Sequence, residues 1–346
     1  MLAFTLLSAV GGESAFAPTL RVSRASKSAS HVSDDGVAIG AGRRQARVCM
    51  AADAAAQTTG TSSNGTRTIF VTGMWRYPLK SGAAEPLTTT RVQLEGLEGD
   101  RRYMVATSTD GKFVTQRRQP ALATVRMSLQ GSQLTLSAPG EVPLTVAAQR
   151  GRATVNGSVW GDALQLVDQG RAAAVWITRF LWRAGGNPLA ALASLQPVPA
   201  FRLLGALPAS GRAAGLADEK PLLLICEASL EELNARRLVE GRPPTPMERF
   251  RPNLVVRGCA PGEEDRWKAV SIGTAHLAVD GPCPRCTVPD VDQQTGKYQP
   301  RHGPMASLGK YRSQAGKGVL FGVWMTPTSA GGVVNVGDQV TIHAWA

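Results

Sequence analysis

Two cysteines spaced as Cys-x-x-Cys stand among prolines in Gly281-Pro282-Cys283-Pro284-Arg285-Cys286-Thr287-Val288-Pro289, in a chain with only five cysteines and four histidines. Thiolates ligate soft metals, form disulfides and act as nucleophiles, so the pair admits several chemistries. A structural zinc site needs four ligands, and no second Cys-x-x-Cys or close histidine pair completes one. Cys226, Cys259 and His276 would serve only in an untypical arrangement. A thioredoxin-type dithiol places its first cysteine at a helix N-terminus, where the dipole lowers the thiol pKa. Pro282, Pro284 and Pro289 favour an extended loop instead. Two further readings stay open: inert core thiols, or one thiolate holding a soft transition metal beside a loop that proline keeps accessible.

A second group of residues suits anion and heterocycle binding. Arg249-Phe250-Arg251-Pro252-Asn253 precedes the β-branched run Leu254-Val255-Val256, Lys80-Ser81 follows Tyr77-Pro78-Leu79, and Asp100-Arg101 precedes Tyr103-Met104-Val105. A guanidinium grips phosphate with two hydrogen bonds, and a carboxamide both donates to and accepts from a ring edge. Taken singly, each of these residues reads as a solvated charge at a strand end. His276 and His302 are the imidazoles nearest the cysteine pair in sequence and are candidate proton donors.

The elements that would position these groups are short strands. Ile69-Phe70-Val71 opens the pattern near Thr68, and Tyr103-Met104-Val105 is expected to meet Phe113-Val114 across Asp110-Gly111. Leu134 and Leu136 alternate before Pro139-Gly140, with Val142, Leu144 and Val146 beyond it. A helix is expected over 171–183, where Ala172, Trp176 and Phe180 recur every four residues before Gly185-Gly186. A buried strand follows at 221–225, and Ser229-Leu230-Glu231-Glu232 has the form of a capping box opening a second helix. Val334 and Val336 lead across Gly337-Asp338 to Val340 and Ile342, a final hairpin. The fold class is therefore α+β and β-rich, a closed or nearly closed β-barrel with a smaller N-terminal sheet domain and a few helices.

Composition narrows the function class. The 37 glycines and 22 prolines argue against a helical bundle. A net charge of +12 favours anionic partners, yet Lys and Arg are scattered without a basic run or interleaved aromatics, so nucleic acid is not expected. No Gly-rich phosphate loop follows a strand, and no apolar run reaches the length of a membrane span. An odd number of cysteines across a long chain points to a reducing compartment. The apolar start Met1 to Val10, then Ala15-Phe16-Ala17-Pro18, then an acid-poor Ser/Ala/Arg stretch through Arg47 resembles a bipartite presequence of secondary plastids. A mitochondrial presequence is the alternative. The expected organisation is a presequence and linker over 1–66, an N-terminal β domain over 67–200 and a second β domain over 201–346.

From Thr68 onward the chain resembles the MOSC family, the C-terminal domain type of molybdenum cofactor sulfurase, in its amidoxime-reducing-component branch. The blocks that carry the resemblance are Tyr77-Pro78-Leu79-Lys80-Ser81, Gly99-Asp100-Arg101, Val159-Trp160-Gly161-Asp162, Ile225-Cys226-Glu227-Ala228-Ser229-Leu230, Phe250-Arg251-Pro252-Asn253, Cys283-Pro284-Arg285-Cys286, Val291-Asp292 with Thr295-Gly296, and Phe321-Gly322-Val323 with Val336-Gly337-Asp338. The resemblance implies a MOSC β-barrel behind an N-terminal MOSC β domain. It also implies a molybdenum cofactor (Mo-molybdopterin) with Cys286 as the metal ligand and Arg285 beside it, and Lys80, Ser81, Arg101, Arg251 and Asn253 holding the pterin and its phosphate. The implied reaction is reduction of small N-hydroxylated substrates, with electrons from a separate donor, a cytochrome b5 with its reductase or a ferredoxin-like protein. A cofactor carrier and a sulfur carrier are the alternatives, although no pyridoxal-phosphate domain is visible in the chain. Pro284, Cys226 and Glu219-Lys220 depart from the family's usual residues.

Overall fold

A computed structural model describes residues 67–150, 154–207 and 215–346. The expected presequence and linker lie outside the described residues.

Seven strands close a barrel. Around it run Leu222–Cys226, Leu254–Arg257, Ile69–Arg76, Gln339–Trp345, Trp267–Ile272, Ala275–Pro284 and Gly318–Pro327, and the last pairs back to the first. All pairs are antiparallel except Leu222–Cys226 with Leu254–Arg257, which run parallel through the crossover helix α2 (Glu227–Val239). Leu222–Cys226 is buried along its whole length because its two faces meet different cores. Leu222, Leu224 and Cys226 join Val71, Val256, Val270 and Met325 in one cluster, while Leu223 and Ile225 join Leu233 of α2, Phe250 and Phe321 in another. That double burial explains why the segment is an uninterrupted apolar run. Closure brings two backbones together at Gly322, whose φ is +71° and where a Cβ would lie 2.8 Å from the Leu224 carbonyl oxygen.

The barrel strand Ile69–Arg76 comes from far upstream in sequence, and Thr89–Gln93 likewise pairs with Gly332–Asn335. A half-barrel of Tyr103–Thr107, Phe201–Ala206, Asp162–Asp168 and Val155–Val159 stands beside it. Helix α1 (Arg171–Ala184) buries Trp176, Ile177, Phe180 and Leu181 against that sheet and against the meander Arg126–Gln130, Gln133–Ser137 and Leu144–Ala147. It ends at Gly185, as the glycine pair requires. The α+β class with its barrel and few helices is thus the one expected.

Tyr103–Thr107 meets Phe113-Val114 across Asp110-Gly111 as expected, through the Ala106–Phe113 bridge and the Val114 amide donating to the Val105 carbonyl at 2.8 Å, and its longer ladder is with Phe201–Ala206. The structure differs from the sequence reading in three places. The final two strands exist but do not form a hairpin. Gly332–Asn335 joins Thr89–Gln93, and Gln339–Trp345 enters the barrel, because alternation fixes a strand's faces and leaves its partner unspecified. Ser229 does not cap α2, which starts at Glu227. Its hydroxyl donates instead to the buried Glu264 carboxyl at 2.7 Å, a group that burial leaves in need of donors. Finally, Cys226 and Cys259 form a disulfide, which runs against the reducing compartment expected from the cysteine count; the parallel strands that carry or precede them bring the two together in the core.

Candidate functional site

Beside the barrel opens a cavity of about 470 Å³, within the size range of small-molecule sites. Its walls carry Lys80, Ser81 and Arg101 from the N-terminal part and Arg251, Arg285 and Cys286 from the later part. Six of the seven residues singled out by sequence therefore meet in one place.

The backbone there is unusual. Among the described residues, non-glycine residues with left-handed backbone are Ser81 (φ 65°), Arg101 (φ 45°), Trp160 (φ 53°) and Arg251 (φ 55°), and all four line this cavity. Such conformations persist only where surrounding structure imposes them, and they concentrate at functional sites.

Asn253 supplies part of that imposition. It is fully buried and does not line the cavity. Its amide donates to the Trp75 carbonyl and to Asp100 Oδ2, both at 3.1 Å, while its carbonyl oxygen accepts from Arg101 Nη1 at 3.0 Å and from the Leu223 amide at 3.2 Å. Asp100 in turn pairs with Arg101 and accepts from the Tyr77 amide at 2.6 Å. Asn253 is thus spent on holding Asp100 and Arg101 rather than facing the open volume.

Arg251 donates to the Gly82 carbonyl at 2.6 Å and to Gln293 Oε1 at 3.1 Å. Burial depresses its pKa to about 10, with the positive Arg101 adding to the effect, and it remains a cation at neutral pH. Gln293 is held by Gln116, which also donates to the Ser81 carbonyl at 2.9 Å. Lys80 donates to the Leu216 carbonyl at 2.8 Å and pairs with Asp218. Burial at the cavity lip would raise the Asp218 pKa, but the Lys80 ammonium and the Trp160 indole N–H at 3.0 Å hold it down at about 2.

The two thiols differ. Cys283 is buried on the last stretch of Ala275–Pro284, where burial raises its pKa against the opposing pull of Arg285. Cys286 is exposed beyond the strand end. Arg285 donates to the Phe250 carbonyl at 2.7 Å and lies 3.3 Å from Cys283 Sγ. Its Nε and the Trp324 indole N–H are buried without a protein acceptor, and both residues line the cavity.

Several of these were missed by sequence reasoning. Gln116, Gln293, Asp218 and Trp324 belong to no short motif, and Tyr77 and Trp160 were noticed only as members of family blocks. His276 and His302 do not line the cavity. Among the described residues no group of three or more His, Cys, Asp or Glu is placed to cage a metal. An exposed thiol, a cationic wall and two buried N–H donors without a protein acceptor nevertheless fit an anionic cofactor that brings further metal ligands of its own.

A seven-stranded barrel with a Cys-x-x-Cys at a strand end, opening on a cavity walled by Lys80, Arg101 and Arg251, agrees with a MOSC-type protein. The MOSC domain model matches residues 211–341, and the MOSC N-terminal beta barrel domain model matches residues 68–184. Among relatives, mitochondrial amidoxime reducing component 2 of Macaca fascicularis is 30% identical over 282 residues, covering 78% of this chain and 82% of that protein. Mitochondrial amidoxime-reducing component 1 of Homo sapiens is 30% identical over 288 residues with the same coverage. Molybdenum cofactor sulfurase of Danio rerio is 30% identical over 290 residues, covering 78% of this chain but 34% of that protein. The chain belongs to the MOSC family and is related to its amidoxime-reducing components, which links it to molybdenum-cofactor enzymes.

The same relatives correct the expectation of a plastid address. The amidoxime-reducing components it matches are named as mitochondrial, which favours the mitochondrion. Among the described residues no helix is long and apolar enough to cross a membrane.

Proposed function

We propose that the cavity binds the molybdenum cofactor, with the Cys286 thiolate as the protein's metal ligand. The observation that carries this reading is the exposed Cys286 thiol on a cavity that also presents Lys80, Arg101 and Arg251. Lys80, Arg101 and Arg251 offer charge-assisted hydrogen bonds to the cofactor phosphate, and the left-handed Ser81 turn offers its hydroxyl and backbone to the pterin. Asn253 acts one step back by holding Arg101 both directly and through Asp100. When bound, the cofactor supplies a two-electron redox centre and further sulfur ligands.

The activity that fits best is reduction of a small N-hydroxylated compound, such as an amidoxime or hydroxylamine. Two electrons and two protons convert the N–OH group to N–H and water. Arg285 lies beside Cys286 with an unpaired buried Nε, so it can direct the substrate oxygen toward the metal position and exclude loose water from that wall. Electrons come from a separate protein, a cytochrome b5 with its reductase or a ferredoxin-like donor. In this reading residues 67–200 supply one wall of the cavity and the barrel strand Ile69–Arg76, and residues 201–346 supply the rest of the barrel and the thiolate.

The match to molybdenum cofactor sulfurase over a comparable stretch favours a second reading, because the residues that hold the cofactor need no turnover. The chain would then carry the cofactor, or carry sulfur as a persulfide on Cys286. Protein made in a cofactor-producing host separates these outcomes through its molybdenum and pterin content and its turnover of benzamidoxime with a reduced dye. Metal with turnover supports the reductase, metal without turnover supports the carrier, and cyanolysable sulfur without metal supports the sulfur carrier.

A further inference from the structure

From Gly185 to Phe201 the chain holds no charged residue. Its middle is the 3₁₀ helix Pro188–Leu195, which follows α1. In a 3₁₀ helix residues three apart eclipse one another. Ala190 and Ala193 accordingly face inward and are buried, while Leu189, Leu192 and Leu195 form one outward row. These leucines are 48%, 44% and 74% exposed, and Val198, 60% exposed, continues the apolar surface.

Several backbone groups under this ridge are already satisfied. Arg171 donates to the carbonyls of Ser194, Gln196 and Pro197 at 3.1, 2.8 and 3.0 Å, and Asn187 Oδ1 accepts from the Leu189 amide at 2.9 Å. The ridge can therefore leave water without stranding those polar groups, the condition a lipid environment imposes. Basic residues flank it. Arg171 is exposed, and Arg179 and Arg183 share the single carboxylate of Glu141, leaving excess positive charge on the α1 side.

We infer that this ridge is a peripheral docking site for an anionic lipid bilayer, with Leu189, Leu192, Leu195 and Val198 entering the headgroup–acyl boundary and the α1 arginines meeting lipid phosphate. Aliphatic insertion beside basic residues is the recognised chemistry of interfacial binding. A second copy of the chain suits the ridge less well. Four aliphatic side chains on a narrow ridge fall well short of the roughly 800 Å² per partner of a stable interface, and the ridge carries none of the tyrosine or tryptophan anchors that dominate such contacts. The inference stands independently of the cofactor reading.

The test is flotation of the full chain with phosphatidylcholine vesicles, with and without phosphatidylglycerol, for wild type and for the Leu192→Ser/Leu195→Ser variant. Both substituted positions are solvent-facing, so an unchanged melting temperature confirms that the variant folds. Wild type is expected to float with the anionic vesicles, less so at high salt, and the variant to lose partitioning by roughly tenfold or more. Because both proteins keep residues 1–66, any binding through that segment is common to both. Wild type that does not float, or a variant that floats equally well, overturns the proposal. A Leu195→Trp probe should shift its emission to the blue on vesicle addition, and an unshifted spectrum overturns it as well. So does a wild-type dimer in analytical ultracentrifugation that the double variant abolishes while vesicle binding persists.

Discussion

The Arg251 guanidinium packs over the buried Tyr77 ring at 4.1 Å from its centroid, and Arg101 lies 4.7 Å from the same centroid. One aromatic side chain thus supports two cationic residues of the cavity wall. Its hydroxyl donates to the Pro252 carbonyl at 2.9 Å, tying the ring to the Arg251-Pro252-Asn253 turn. Tyr77→Phe keeps the ring and strands that carbonyl, at a cost of about 1–2 kcal/mol. Tyr77→Ala also removes the platform and costs about 3–5 kcal/mol. Urea unfolding of the two variants should show that order, with cofactor retained in the first and lost in the second.

Asn253 makes a sharper case, because one atom separates it from a group that cannot work. Asn253→Asp replaces the amide that donates to Asp100 and Trp75 with an acceptor facing acceptors. A buried like-charge contact with Asp100 follows, and stability should fall by about 3 kcal/mol or more. Thermal unfolding checks this, and a variant as stable as wild type would remove Asn253 from the positioning role assigned to it.

The Cys226–Cys259 disulfide closes a separation of 33 residues within the barrel core. Loop-closure entropy for that span corresponds to about 3–4 kcal/mol. Cys259→Ala, or wild type unfolded under reductant, should therefore show an unfolding free energy lower by that amount, read as a lower urea midpoint, and the variant should no longer respond to reductant.

Acid should weaken the cavity rim before it unfolds the barrel. The folded Asp218 pKa of about 2 lies below its ordinary value of about 3.9, so its pairing with Lys80 contributes stability above pH ~4 that is lost as pH falls through ~2. The Asp218 side chain is 57% exposed, which makes the contribution small. Stability measured from pH ~5 to ~2 should fall less steeply for Asp218→Asn than for wild type.

The parts of this molecule legible in its sequence are those with local causes. Helix α1 follows from apolar spacing and a glycine stop, and the fold class follows from many short strands and turns. The choice of strand partners was not legible, since Gly332–Asn335 and Gln339–Trp345 alternate as a hairpin would and yet pair with segments near residues 90 and 70. At the site, Lys80, Arg101, Arg251 and Cys286 were reachable from residue chemistry joined to a family pattern. The Gln116–Gln293 link and the unpaired Trp324 N–H were not, because a buried amide or indole has meaning only once its neighbours are known. Asn253 was found as a residue but not in its role: sequence placed it near the cofactor, whereas its hydrogen bonds are all made within the protein. The disulfide was missed for a similar reason, as only the barrel brings two core cysteines together.

The asymmetry between the two neighbouring thiols is the central claim, and molybdenum content per polypeptide tests it most directly. Wild type, Cys283→Ser and Cys286→Ser should be made in a host that synthesises the cofactor and analysed by elemental mass spectrometry. Wild type and Cys283→Ser are expected to retain molybdenum, and Cys286→Ser, altered at an exposed position and still folded, to lose it. Full molybdenum in Cys286→Ser would contradict the account.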